Sequence, residues 1–141
     1  MPDRMTAQQL RETHGSKPRR HVDREGPVHR AVLAYLRRAL PGAVIHHSPN
    51  ETDMRGPTVA RMISKQKCLG MVVGFPDLII FWRGHVWAME VKAEKGRVSP
   101  DQEAVGGAMV ANGVRWAVVR SVDDARACVA AWFDKNEGRG D

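Results

Sequence analysis

The chain has 141 residues, of which 43% are hydrophobic and 27% charged, so it can bury one ordinary core as one main domain. Its net charge of +6 favours a polyanionic partner, nucleic acid before a membrane surface. Its two cysteines have no metal-ligand spacing, which argues against a disulfide framework and a zinc ribbon. No apolar run has the ~18 residues of a membrane helix, and the N-terminal residues lack the continuous apolar stretch of a secretory signal, so we expect an intracellular, cytoplasmic protein.

The N-terminal part contains an arm, a helix and a short strand. Residues 1–24 are polar and basic and contain helix-breaking glycine and proline, so we expect a flexible arm. Residues 25–39 predict a helix, because proline suits its first turn and apolar residues recur at helical spacing. Residues 43–47 predict a strand, on which His46 and His47 point in opposite directions and cannot easily bind one metal together.

The middle of the chain predicts a basic helix followed by a β-hairpin. The helix covers about residues 59–69, and we expect it to bury Met62, Ile63 and Leu69. Two apolar runs then flank the dipeptide Arg83-Gly84, which is typical of a two-residue hairpin turn. Because both faces of this hairpin are apolar, we expect helices to cover both of them.

The C-terminal part predicts a helix, a strand and a last helix. Ser99 and Gln102 have the spacing of a capping box, so a helix begins there and ends near Ala111. A strand over residues 114–120 and a helix to about Phe133 follow. The fold class is therefore α/β, a mixed four-stranded sheet flanked by helices in the order α-β-α-β-β-α-β-α. Its domain covers residues 25–135, with a frayed tail over residues 136–141.

The hairpin turn places three charged side chains on one face. Counting outward from the turn sets Asp77 opposite Glu90, with Cβ atoms about 4.5–5.5 Å apart. Lys92 points the same way as Glu90 because strand side chains alternate. The two carboxylates are hard oxygen ligands suited to Mg²⁺ or Mn²⁺, and the Val91 backbone carbonyl can add a metal ligand. The alternative is a structural ion pair, but burying such charges costs several kcal/mol per ion, which favours a functional site.

These residues resemble a known family. Pro76-Asp77 followed by Glu90-Val91-Lys92 is similar to the signature of the restriction-endonuclease-like PD-(D/E)XK nucleases. Across residues 25–132 the chain resembles the VRR-NUC (virus-type replication-repair nuclease) branch, whose fold is a mixed sheet flanked by helices. The wider resemblance lies in the segments Gly74-Phe75-Pro76-Asp77-Leu78, Glu90-Val91-Lys92, Gly96-Arg97-Val98-Ser99-Pro100-Asp101-Gln102 and Val119-Arg120-Ser121.

The resemblance implies a role for each residue. Asp77 and Glu90 would bind the metal, and Lys92 would act at the attacking water. Gln102 matches a glutamine that organises the site, although helix capping also explains it. Glu25 matches an acidic residue that approaches the metal region, although a favourable charge at a helix start explains it equally. A polar family position four residues after this glutamate holds His29 here, which we expect on the helix surface.

The function implied is a Mg²⁺- or Mn²⁺-dependent DNA endonuclease that hydrolyses phosphodiester bonds with a metal-activated water. Relatives of this size act in phage and bacterial replication and repair, several as homodimers on branched DNA such as Holliday junctions. The alternatives are a nucleic-acid-binding module that cuts nothing and a structural protein. Basic residues near the site are candidate phosphate contacts or solvated surface, namely Arg61, Lys65, Lys67, Lys95 and Arg97.

Overall fold

The computed structural model describes residues 22–49 and 56–137. The element order in this part of the chain is the predicted one, and it forms a mixed four-stranded sheet flanked by helices. The elements are α1 (Glu25–Ala39), β1 (Val44–His47), α2 (Pro57–Cys68), β2 (Leu78–Trp82), β3 (His85–Val91), α3 (Pro100–Ala111), β4 (Arg115–Val119) and α4 (Val122–Glu137).

The sheet is built around the predicted hairpin. Its strand order is β1-β2-β3-β4, in which only the β3–β4 pair is parallel. The turn residues Arg83 and Gly84 have φ angles of 46° and 78°, as a type I′ turn requires. Trp82 therefore pairs with His85, and the register continues to the Leu78–Met89 pair. One step further sets Asp77 opposite Glu90, so the predicted register is confirmed.

The main core lies on the face of the sheet covered by α1 and α4. Alternate residues of β2 and β3 point into it, as the period of a strand dictates. The indole Nε1 of Trp82 donates a hydrogen bond of 3.0 Å to the carbonyl oxygen of Pro41, which satisfies its polar atom. The buried cluster contains Val32, Leu36, Leu40, Leu78, Ile80, Trp82, Trp87, Met89, Val91, Val119, Ala125 and Trp132.

The opposite face is only partly covered, so the prediction that helices cover both faces of the hairpin is wrong at the turn end. Gly106 of α3 packs directly on the Trp116 ring of β4, and this contact holds α3 over the parallel side of the sheet. Val44, Phe81 and Val86 form one cross-strand row on that face and are 64%, 47% and 38% exposed.

Other expectations differ at the ends of elements. Helix α2 buries no residue. Burial was predicted for Met62, Ile63 and Leu69, but Met62 and Leu69 are exposed and Ile63 is only half-buried. Helix α4 continues to Glu137, so the first two residues of the predicted tail are helical. Residues 1–21 of the predicted arm and residues 138–141 of the tail lie outside the described part. Among the described helices, none has both the length and the apolar character needed to cross a membrane.

Candidate active site

Asp77 lies just before β2 and is 2% exposed. The backbone N–H of Val91, at the end of β3, donates to Asp77 Oδ2 at 2.8 Å. The carbonyl oxygen of Asp77 accepts a bond of 2.9 Å from the N–H of Ser48, next to β1. The carboxylate of Asp77 is thus tied to β3, and its backbone to the residue that follows β1.

Glu90 is fully buried on the same face. Gln102 Nε2 donates to its Oε1 at 2.8 Å, and Lys92 Nζ lies 3.9 Å from the same oxygen. Its other oxygen, Oε2, has no hydrogen-bond donor among the described residues. The structure therefore brings Asp77, Glu90, Lys92 and Gln102 together, and we call these four residues the acidic cluster.

Burial, the charge of the neighbouring Asp77 and a side-chain hydrogen bond with Asp77 together raise the pKa of Glu90 from 4.5 to about 9, with burial the largest cause. The charge of Lys92 opposes this rise in pKa, whereas the charge of Glu25 adds to it. Glu25 therefore lies within electrostatic range of Glu90. Two ionised carboxylates have no hydrogen to share, so a hydrogen bond between Glu90 and Asp77 requires a proton on one of the two groups. The pair therefore carries a proton unless a cation replaces it.

Gln102 combines a helix cap with a hydrogen bond to Glu90. Its backbone N–H donates to Ser99 Oγ at 3.2 Å, while Ser99 N–H donates to Gln102 Oε1 at 2.9 Å, which completes a capping box. Because the side-chain oxygen is used by the cap, the Nε2 group is directed at Glu90. Helix capping thus orients a residue of the acidic cluster.

Gly74 fixes where α3 begins relative to the hairpin, a contact that sequence reasoning missed. Its φ is +82°, and a Cβ atom there would lie 2.5 Å from the carbonyl carbon of Asp101 and 2.7 Å from the amide nitrogen of Gln102. Only a residue without a side chain allows this approach. The sequence signal was the glycine itself, which precedes Pro76-Asp77 in the quoted motif.

Two histidines lie beside Asp77. His47 Nδ1 is 3.3 Å from the carbonyl oxygen of Asp77, and the His29 ring meets the His47 ring edge-on at 4.5 Å. Burial and then the charge of His47 lower the pKa of His29. The expectation that His29 lies on the helix surface is wrong, because the pairing of β1 with β2 brings His47 under α1.

Arg120 ties the loop after Lys92 to the end of β4. Its Nη1 donates to the carbonyl oxygens of Ala93, Glu94 and Gly96, and the Lys92 N–H donates to Val119 O at 3.0 Å. Arg120 lies in one of the segments that resemble the family, but the sequence alone predicts no role for it. The predicted phosphate contacts are all exposed, with Lys95 and Arg97 after Lys92 and with Arg61, Lys65 and Lys67 on α2.

A family model described as the VRR-NUC domain matches residues 29–123, about two thirds of the chain. The chain belongs to the VRR-NUC family. It therefore has a nuclease-type fold. The match includes the whole acidic cluster and begins four residues after Glu25.

Two solved structures are similar to this VRR-NUC chain. One, described as a VRR_NUC domain protein, has a TM-score of 0.60 and 21% identity and covers 79% of this chain and 88% of its own. Another, described as a VRR_NUC domain, has a TM-score of 0.53 and 23% identity and covers 77% and 97%. At these identities they show the fold alone. No curated protein matches the sequence.

The donor set of this VRR-NUC domain fits a hard divalent cation. Within residues 22–49 and 56–137, no three His, Cys, Asp or Glu side chains lie close enough together to hold a metal ion. Mg²⁺ is commonly bound by one or two carboxylates and keeps several waters, whereas structural zinc needs four protein ligands. Two buried carboxylates, one with an oxygen that lacks a donor, therefore suit Mg²⁺ or Mn²⁺.

Proposed function

We propose that this VRR-NUC domain is a DNA endonuclease that hydrolyses phosphodiester bonds with Mg²⁺ or Mn²⁺ at Asp77 and Glu90. The observation that carries the proposal is the buried carboxyl pair, in which Glu90 Oε2 has no donor and the pKa of Glu90 is about 9. Such a pair is costly to ionise unless a positive charge lies between its members. A pair that serves only packing would be replaced at no loss by apolar residues.

Each residue of the cluster has a task in this proposal. A divalent cation, held by Asp77, Glu90 and the Val91 carbonyl, would polarise the phosphodiester and lower the pKa of a bound water. The Val91 N–H and Gln102 hold the two carboxylates in place before substrate arrives, which is preorganisation. Lys92, only 12% exposed, directs an ammonium group into the site, where it orients the attacking water and offsets charge on the phosphoryl oxygens.

We further propose that the substrate is branched DNA and that the domain acts as a homodimer in a bacterial or phage-infected cell, in replication or repair. The net charge of +6 supports a polyanionic substrate. The exposed row of Val44, Phe81 and Val86 supports a second copy, because apolar side chains side by side on a sheet favour a covering partner. Light scattering during size-exclusion chromatography measures the molar mass and so tests the homodimer. The mass of a monomer would exclude it.

Cleavage of a Holliday junction and of a linear duplex, with Mn²⁺ or with EDTA, tests the nuclease function. We expect cleavage only with Mn²⁺, faster on the junction, and reduced at least ~100-fold by Lys92→Ala and by Asp77→Asn. Asp123→Asn is the matched control, because this carboxylate is 89% exposed on α4, and we expect it to cut normally.

Three results would separate the rival functions. Cleavage that persists in Asp77→Asn would refute the assignment of the site. Salt-sensitive DNA binding without any cleavage, unaffected by Lys92→Ala, would identify a nucleic-acid-binding module instead. Failure to bind or cut any DNA, with stability equal or higher when Asp77, Glu90 and Lys92 are replaced together by apolar residues, would identify a structural ion pair.

A further inference from the structure

A groove of about 520 Å³ lies beside the acidic cluster and is not used by the proposed hydrolysis. Residues 70–75 form one wall, and we call it the 70–75 groove. Its volume lies within the ~300–1,000 Å³ of small-ligand sites. The opposite boundary comes from residues that follow β1 and from the first turn of α3, namely Ser48, Pro49, Ser99, Asp101 and Gln102.

Two of the residues that line this groove, one of them the cluster member Gln102, are hydrogen-bonded to Asp77 or Glu90. Ser48 donates its N–H to the carbonyl oxygen of Asp77 at 2.9 Å. Gln102 donates its Nε2 to Glu90 Oε1 at 2.8 Å. The groove is therefore one residue away from the backbone of Asp77 and from the carboxylate of Glu90, so a molecule lying in it would be close to the acidic cluster.

The groove is apolar although the chain around it is basic. Met71, Val72, Val73 and Phe75 line it, and Val72 is 50% exposed. Leu69, which precedes this segment, is 73% exposed. Neighbouring apolar side chains left in solvent commonly mark a surface that a ligand or partner covers.

The groups around the groove match the parts of a nucleotide. The apolar lining and the Phe75 ring suit the faces of a base, which stack on aromatic and apolar side chains. Ser48, Ser99 and Asp101 offer hydroxyl and carboxylate groups to the edge of a base. Helix α2, which carries exposed Lys65 and Lys67, leads directly into residues 70–75 and offers cations to the phosphates on either side.

We propose that the 70–75 groove receives one unpaired base of the DNA strand that the acidic cluster cuts. This inference rests on the proposed nuclease function and specifies its substrate. A base stacked inside continuous duplex cannot enter a groove without first unstacking, which costs free energy. The groove therefore selects DNA that already carries an unpaired base next to the scissile phosphate, as branch points and flaps do.

Binding in EDTA tests the inference without any cleavage. The substrates are three labelled duplexes of one sequence: fully paired, with one bulged thymidine, and with a bulged abasic residue in its place. The abasic bulge keeps the phosphate and the bend but lacks the base. We expect the protein to bind the thymidine bulge about tenfold more tightly than the abasic bulge, the size of one stacking contact.

Two variants with the same charge change locate the contact. Val72→Asp places a carboxylate in the groove, and we expect it to abolish the tenfold preference for the thymidine bulge. Val110→Asp places the same charge near the far end of α3, where the valine is 56% exposed, and we expect the preference to remain. Thermal unfolding of both variants confirms that each is folded.

Several outcomes would overturn the inference. Equal affinity for the two bulges would exclude a base in the groove. A Val72→Asp variant that keeps the preference for the thymidine bulge, as Val110→Asp is expected to do, would exclude it as well. A Val72→Asp variant that turns a dimer into monomers but keeps the preference would show that a second copy occupies the groove. If no DNA of any kind bound, the proposed nuclease function would fail as well, whereas normal binding without preference would remove the groove's role alone.

Discussion

At the scale of single residues, the surroundings of Glu90 make stability depend on pH. The pKa of Glu90 is about 9 in the folded chain, against an ordinary value of 4.5. Between these values the folded state binds more protons than the unfolded state, so the free energy of unfolding falls as pH rises. Burial lowers the pKa of His29 below its ordinary 6.5 and raises that of Cys128 above 9.0, so both groups titrate mainly outside pH 7 to 8.5. Because both are unchanged in a Glu90 variant, the difference between the variant and the unaltered protein isolates Glu90.

The substitution Glu90→Gln tests this dependence. Glutamine keeps an oxygen that accepts the hydrogen bond from Gln102 but has no proton to lose. We expect the unfolding free energy of the unaltered protein in EDTA to fall by about 1 kcal/mol per pH unit between pH 7 and 8.5, and that of Glu90→Gln to stay level. Urea denaturation at four pH values measures both, and equal slopes would contradict the assignment.

At the scale of elements, the site depends on how closely the loop before β2 approaches α3. Gly74 and Gly113 have the same φ of +82°, but only Gly74 has backbone atoms where a Cβ would lie, whereas Gly113 has open space. Alanine at either position carries the cost of a left-handed conformation, about 1–2 kcal/mol. Alanine at Gly74 must also displace the first turn of α3, and with it Gln102.

We therefore expect Gly74→Ala to lower the free energy of unfolding by ~1–3 kcal/mol more than Gly113→Ala does, the usual cost of overpacking. Urea denaturation of the two variants gives this difference directly. Gln102 lies in the displaced turn, so its hydrogen bond to Glu90 would be disturbed. We therefore expect cleavage to fall in Gly74→Ala and not in Gly113→Ala. Equal losses of stability would show that the loop moves freely and does not position α3.

The elements that local sequence determines were the ones predicted well. The Arg83-Gly84 turn sets the hairpin register, and the Ser99–Gln102 capping box sets the start of α3, so most of the acidic cluster follows from a few neighbouring residues. The rest depends on tertiary packing. The contact of His29 with His47 requires α1 to lie over β1, and the bonds of Arg120 cross more than twenty residues of chain.

At the scale of the whole molecule, pairs of basic residues occupy the last turns of two helices, α1 and α2. Helix α1 begins at Glu25, within electrostatic range of Glu90, and carries the exposed Arg37 and Arg38 in its last turn. At 1.5 Å per residue, those arginines lie roughly 18 Å further along the helix. Lys65 and Lys67 occupy the last turn of α2, which leads into the 70–75 groove. Each pair carries two positive charges, so a comparison of the two pairs shows whether DNA binds near the end of α2 or responds only to net charge.

Removing both lysines should reduce the dependence of DNA affinity on salt. Each phosphate contact releases counterions and contributes about −0.9 to the slope of log K against log salt. We expect Lys65→Ala with Lys67→Ala to make that slope shallower by about 2, and Arg37→Ala with Arg38→Ala to leave it within about 0.5. Fluorescence anisotropy between 50 and 200 mM salt, conditions over which such contacts respond by orders of magnitude, measures both slopes. A shallower slope of equal size in both double variants would mean that DNA responds to net charge alone and that α2 forms no part of the binding surface.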